Sequence, residues 1–296
     1  MRFIVISGLS GSGKSVALRM LEDLGYYCID NIPPGLLPEF ISHTVRSNDT
    51  QYALTAIGID ARNNATDIQQ VPNQLADLKR CGVNCEVIYL RAETESLLKR
   101  YSETRRRHPL SRGGLGLAEA IAEEQRLLEP MSATADLIID TTRTSVHDLR
   151  ELIRDRVGER NHDRLSILFE SFAFKQGIPT DADFVFDARC LPNPFWEPGL
   201  AEFTGLDQPI IDYLSKHDPV QAMTNDLCQF LENWIPKFVQ TNRSYLTIAV
   251  GCTGGQHRSV YLVEQLLSYF RQQYPQAIAK HRALGKPRAP SKTTSP

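Results

Sequence analysis

Cysteine is sparse and scattered in this 296-residue chain, with six at positions 28, 81, 85, 190, 228 and 252. Nothing in that spacing builds a disulfide framework, and reduced thiols are expected. Cys81 and Cys85 have no second pair and no neighbouring His, which argues against zinc. No apolar run approaches the roughly 18 residues that a membrane span needs. Charge of one sign is also missing: the formal net charge is −2. Global attraction to nucleic acid is therefore excluded, and any such role must rest on a local patch. There is no internal repeat, and low complexity is confined to the last dozen residues. The first motif begins seven residues after Met1, which leaves no room for a secretory leader, so a cytosolic protein is expected. The chain is long enough for two cores.

What is present begins at once. Phe3-Ile4-Val5-Ile6 is a short apolar run, followed by Gly8-Leu9-Ser10-Gly11-Ser12-Gly13-Lys14-Ser15 and a helical stretch from Val16 to Glu22. The loop fits G-x-x-x-x-G-K-[ST], which cradles phosphate between a strand and a helix. Its fixed positions arise by chance in roughly one chain in a hundred of this length. Glycines let successive amides turn toward an anion. Lys14 can reach the β and γ phosphates, Ser15 can ligate Mg²⁺, and the helix dipole adds positive potential.

Strands are expected at 26–30, 52–59, 85–90 and 136–140, with helical stretches at 36–45, 75–80, 97–109 (running into a basic cluster), 117–128 and from a Ser145 cap to about Val157. This alternation predicts a parallel sheet with helices on both faces. The strand ending in Asp60 matches the place of a Mg²⁺-orienting carboxylate, with Asp30 as the competing candidate. Ala61-Arg62-Asn63 continue at the sheet's carboxyl edge, where open α/β sheets bind ligands. Arg100 to His108 is dense in arginine and precedes Gly113-Gly114; it reads as a nucleotide-covering flap or as a solvated basic face.

The charged stretch from Arg154 to Arg164 reads as a linker, giving domains at 1–155 and 163–296. The second domain has strands at 165–172, 183–189 and 245–250, a proline-stiffened loop at 191–199, and helices at 219–239 and 260–270. Its informative stretch is Gly251-Cys252-Thr253-Gly254-Gly255-Gln256-His257-Arg258-Ser259, again strand, glycine loop and helix. The backbone amides of 253–257 and Arg258 are the expected anion ligands. Cys-x₅-Arg-Ser is also the spacing of cysteine-dependent phosphatases, in which a thiolate attacks phosphorus. Phosphatase chemistry at Cys252 stays open as an alternative, with Glu197 the nearest guess for a general acid. After Glu264 no acidic residue follows. Arg271, Lys280, Arg282, Lys286, Arg288 and Lys292 give the last 32 residues a charge of +6. That fits either a solubilising tail or an RNA contact.

Several stretches together resemble the RapZ family of nucleotide-binding proteins. They are 8–19 with Glu22 to Asn31, Asp60 to Asn63, Arg100 to Arg106, Phe169 to Phe172, Leu191 to Pro194 and Gly251 to Tyr261. The resemblance implies slow hydrolysis of ATP and GTP. It assigns ATP to 8–15 and GTP to Asp60, Ala61, Arg62 and Asn63; the motif residues themselves point to Ser15 and Asp60 for Mg²⁺, with Lys14 and Asp60 as catalytic residues. It implies a smaller C-terminal α/β domain like part of a phosphofructokinase. That domain would bind a phosphorylated amino sugar such as glucosamine-6-phosphate through Cys252, Thr253, Gly254, Gly255, His257, Arg258 and Ser259. It further implies an RNase adapter that presents a small RNA to an endoribonuclease, with Lys280, Arg282, Lys286 and Arg288 as RNA contacts, working as a tetramer. An adapter without meaningful turnover is the alternative. Enterobacterial members carry a His where this chain has Phe195.

Overall fold

Apolar runs in which every residue is hidden are the mark of parallel strands covered on both faces. In the computed structural model, β1 (Arg2–Gly8) is buried at all seven positions. The structure describes residues 2–47, 49–104, 106–113, 115–158, 165–241 and 243–284. It divides into two units, Met1–Asn161 and His162–Pro296.

In the first unit β1 is followed by α1 (Lys14–Asp23), β2 (Tyr27–Ile29), α2 (Leu37–Ser47), β3 (Leu54–Ile59) and α3 (Ala65–Arg80). Then come β4 (Asn84–Arg91), α4 (Thr94–Thr104), α5 (Leu117–Ala133), β5 (Leu137–Asp140) and α6 (Val146–Ile153). The sheet is parallel with order β2-β3-β1-β4-β5. Phe3, Val5, Ile57, Ile59, Val87 and Tyr89 on one face pack with Leu37, Ile68, Val71, Leu97, Ile121 and Leu128 from α2, α3, α4 and α5. The other face takes α1 and α6, whose Leu18, Leu21, Leu149 and Ile153 are buried. The order places β1 between β3 and β4, so the loop leaving β1 opens at the carboxyl edge beside the residues that follow β3.

The linker reading at 154–164 is corrected in its first part. Arg154–Gly158 continues α6 as a π-type turn, and Arg156 is fully buried. Residues 159–164 lie outside the described set. Two helices of this unit carry internal prolines. Pro72 lies within α3, and Pro130 lies near the end of α5.

The second unit contains β6 (Ser166–Ala173), β7 (Phe184–Asp187), α7 (Gln208–Leu214), α8 (Asp218–Gln240), β8 (Tyr245–Cys252), α9 (Arg258–Phe270) and β9 (Ile278–His281). Its parallel sheet has the order β7-β8-β6-β9. The interior strands β6 and β8 are buried throughout. Phe169, Ile248 and Val250 pack against Ile210, Leu231, Leu262 and Phe270 of the helices. Among the described residues no helix is long and apolar enough to cross a membrane.

Candidate functional site

The phosphate loop is best understood by following its amides, since each N–H not bonded within the protein is available to a ligand. Leu9 N–H donates to Leu90 O at 3.1 Å, and Ser12 N–H to Leu9 O at 3.0 Å. Ser10 N–H donates to Glu124 Oε2 at 2.8 Å, and its hydroxyl to Glu124 Oε1 at 2.7 Å. Among the described residues the amides of Gly11, Gly13, Lys14 and Ser15 have no protein partner. These four, at the start of α1, form the cradle. The amides of Leu9, Ser10 and Ser12 are engaged within the protein and close the loop.

The carbonyls are turned the other way and held there. Arg100 Nη1 donates to Gly11 O at 3.0 Å, and the Thr141 hydroxyl donates to Ser12 O at 2.9 Å. Arg100 also bonds Thr141, so one clamp grips both carbonyls. Gly8 makes the turn: its φ is +139°, and a Cβ there would lie 2.0 Å from Leu90 O.

Lys14 Nζ donates to Gly8 O at 2.7 Å, folded over its own loop. Burial pushes its ammonium down, the carboxylates of Glu124, Asp60 and Asp30 push it up, and the Arg62 guanidinium pushes down; the balance is a lowered value. Asp60, buried at the end of β3, accepts from Arg62 N–H at 2.9 Å and from Arg62 Nε at 2.8 and 3.1 Å. Arg62 Nη2 adds a 2.8 Å ion pair. The competing Asp30 is mostly exposed and 3.8 Å from Arg62. Asn63 Nδ2 donates to Asn31 Oδ1 at 2.9 Å, joining the two sheet-edge segments. The Ser15 side chain is exposed. A hydroxyl and a carboxylate are hard oxygen donors that suit Mg²⁺, and no thiol or imidazole competes among the residues named for it. In the arginine-rich segment, Arg106 and Arg107 face solvent, and Arg105 and Gly114 lie outside the described residues.

In the second unit, Cys252 ends β8 and is buried. Its sulfur accepts from Gly255 N–H at 3.2 Å and lies 3.2 Å from Ser259 Oγ. Burial pushes the thiol up, but hydrogen bonds from Ser259 and Gly255 and the Arg258 charge outweigh it, so it sits below its ordinary value. Gly255 has φ +69°, and a Cβ there would meet Ala283 at 2.7 Å and Ala173 N at 2.8 Å. The Gly255 amide is thus engaged by the sulfur. Among the described residues the amides of Gly254, Gln256 and His257 have no partner. Burial pushes the His257 imidazole down, so the ring is neutral near pH 7.

Arg258 is turned away from the sulfur loop. Its Nη1 donates to Arg189 O at 2.9 Å and Leu191 O at 3.0 Å, tying the proline loop to α9. Only Nη2 approaches the loop, 3.4 Å from Thr253 Oγ1. Phosphatase chemistry needs that guanidinium over the phosphate, and this arrangement does not favour it. Arg189, which the sequence reading passed over, stacks at 3.8 Å on the Phe174 ring and pairs with Asp187 at 2.7 Å. Phe195 and Trp196 are both exposed, with ring centroids 5.3 Å apart.

Of the expected RNA contacts, Lys280 lies on β9 and is partly exposed. Arg282 pairs with Glu170 at 2.7 Å and Asp181 at 2.6 Å, so its charge is balanced internally. Lys286 and Arg288 lie outside the described residues.

With this geometry in place the likeness to known proteins can be stated. A model of the RapZ-like N-terminal domain matches residues 1–161, and one of the RapZ C-terminal domain matches residues 165–285. The chain belongs to the RapZ family. A relative from Nitrosococcus oceani, named a nucleotide-binding protein, is 52% identical over 284 residues, covering 96% of this chain and all of the relative. Another of that name from Alkalilimnicola ehrlichii is 53% identical over 288 residues, covering 96% and 99%. Among solved structures, shikimate kinase from Bacteroides thetaiotaomicron aligns with 52% of the chain and 97% of its own, at 13% identity and TM-score 0.34.

Glu124 is the principal residue that sequence reasoning missed. The signal was present: buried α5 positions run Ala120, Ile121, Glu124, Leu128 and Met131, a carboxylate in an apolar stripe.

Proposed function

We propose that this RapZ-family chain is a nucleotide-dependent regulator. Its first unit binds ATP or GTP with Mg²⁺ and hydrolyses it slowly. The observation that carries this is the set of four unpartnered amides at the head of α1, with Lys14 and Asp60 beside them. Ser15 and Asp60 would hold Mg²⁺, which neutralises charge between the β and γ phosphates when bound. Lys14 would stabilise the charge that develops on the transferred group. Slow turnover is consistent with an Asp60 gripped by Arg62 and so not free to order water. Segment 60–63 contributes to the GTP site.

The second unit senses a phosphorylated amino sugar of the glucosamine-6-phosphate type. The open amides of Gly254, Gln256 and His257 take the phosphate, next to Thr253 and the Nη2 edge of Arg258. Lys280 and the tail beyond it contact a small RNA that the protein, a cytoplasmic homo-oligomer, presents to an endoribonuclease. The RNA role rests on the charge of that tail and on resemblance.

Thermal stabilisation tests both ligand claims, because a ligand that binds only the native state raises Tm. ATP, GTP and glucosamine-6-phosphate should each do so, and the nucleotide effect should vanish in Lys14→Ala. No shift with any nucleotide would refute the first claim, and none with any sugar phosphate the second. Removing residues 285–296, which spares β9, should weaken RNA binding and flatten its salt dependence; unchanged binding would exclude the tail.

A further inference from the structure

Among the open amides of the phosphate loop, the direction of the Gly13 N–H is not fixed by its own backbone. Gly13 has φ +107°, and a Cβ there would lie 2.6 Å from Leu149 Cδ2 of α6. The position needs glycine, and glycine passes readily between positive and negative φ. The peptide unit joining Ser12 to Gly13 is planar and trans, so its carbonyl and its N–H point in opposite directions. Turning that unit over would carry Gly13 to φ of about −70°, an ordinary helical value. Ser12 O would then face the cradle and the Gly13 N–H would be withdrawn from it. A carbonyl oxygen aimed at phosphate repels it.

The group that selects between the two orientations comes from another strand. Thr141 directly follows β5 and is buried. Its hydroxyl lies 2.9 Å from Ser12 O and 3.0 Å from Arg91 O. A hydroxyl has one proton to give. Arg91 O already receives the Thr141 N–H at 2.8 Å, whereas among the described residues Ser12 O has no other donor. The proton therefore goes to Ser12 O. The Thr141 oxygen in turn accepts from Arg100 Nη1 at 3.1 Å, and Arg100 Nη2 donates to Thr141 O, which holds the hydroxyl in place.

We propose that Thr141 is a positioning residue of the phosphate site: by holding Ser12 O it keeps the Gly13 N–H turned into the cradle before nucleotide arrives. This rests on the nucleotide reading above. The segment from β5 into α6 then builds the cradle from outside the loop. It supplies the hydroxyl on Ser12 O and, through Leu149, the wall against Gly13. Only molecules with the amide turned inward bind well, so apparent affinity follows their fraction. One hydrogen bond of ordinary strength is enough to move such a balance about tenfold.

The test measures affinity for Mg·ATP by calorimetry in the full chain, with Tm as the fold control. Thr141→Val keeps the shape and removes the hydroxyl; it should bind roughly tenfold more weakly. Thr141→Ser keeps the hydroxyl and removes the methyl; it should stay within about twofold of wild type. A role in packing alone predicts the reverse order, because serine opens a space and valine does not. That order, or equal affinity in all three proteins, would overturn the proposal. If Thr141→Val does not fold, amide exchange in nucleotide-free wild type labelled with ¹⁵N-glycine decides. An inward Gly13 N–H has no protein partner and should exchange with water as an open amide does. An N–H turned over onto the Thr141 oxygen would be protected, and that result would overturn the proposal. This measurement needs no nucleotide, so it still judges Thr141 if wild type binds none, an outcome that would instead refute the nucleotide reading.

Discussion

Arg62 holds Asp60, the carboxylate that the proposed function gives to Mg²⁺. Its side chain bonds both Asp60 oxygens, with Nε at 3.1 Å from Oδ1 and 2.8 Å from Oδ2, and Nη2 at 2.8 Å from Oδ2. Asp60 is buried while Arg62 is about half exposed, with 49% of its side chain accessible. A pair so open to water contributes about 1 kcal/mol rather than the several expected of a buried one. Metal binding must displace it, so the guanidinium should raise the Mg²⁺ requirement by roughly fivefold. Arg62→Ala leaves the backbone N–H bond to Asp60 Oδ1 and removes the rest. Titrating Mg²⁺ at fixed ATP analogue, with bound nucleotide followed by fluorescence, should give a half-saturation about fivefold lower than wild type. An unchanged or higher Mg²⁺ requirement would refute the competition between Arg62 and metal for Asp60. Affinity for metal-free nucleotide, measured alongside, reports any direct contact from Arg62 to phosphate.

Gly8→Ala should destabilise the first unit by about 3 kcal/mol or more in denaturant unfolding, since φ is +139° and the new Cβ would collide with Leu90 O. Arg258→Ala should lower stability by about 3 kcal/mol by leaving the carbonyls of Arg189 and Leu191 without their donor; a loss below 1 kcal/mol would argue that water replaces it. Alkylation of Cys252 should reach half its limiting rate at a lower pH than that of Cys28, whose thiol burial pushes up to about 11, and a bound sugar phosphate should suppress it. Glu170 is buried and, despite Arg282, lies above the usual carboxylate value, so its favourable term is present at low pH and is lost as pH rises through its folded value. Glu170→Gln lacks that loss, so its Tm relative to wild type should increase between pH 4 and 8; a constant difference would contradict this.

The sheet of the first unit was legible because its strands are unbroken apolar runs, and the loop because its glycines and lysine are fixed by chemistry. What was not legible depended on contacts across the fold. The seven-residue α7 and the four-residue β9 are too short for periodicity to declare, and β9 forms because Ile278 to His281 lie in register with Leu168 to Ser171. Spacing listed Ser10 and Gly255 as anion ligands, but their amides belong to Glu124 and Cys252. Arg282 read as a surface cation because its two partners lie 101 and 112 residues away in the chain. Glu124 could have been flagged from its place in an apolar stripe, though its partner could not have been named.

Calorimetry of Mg·ATP and Mg·GTP binding to wild type and to Lys14→Ala bears most directly on the phosphate cradle at the head of α1. Saturable one-site binding in wild type, reduced at least a hundredfold or abolished in the variant, is the result expected of Lys14 and four open amides. Equal affinity in both proteins would mean that nucleotide, if bound, sits elsewhere.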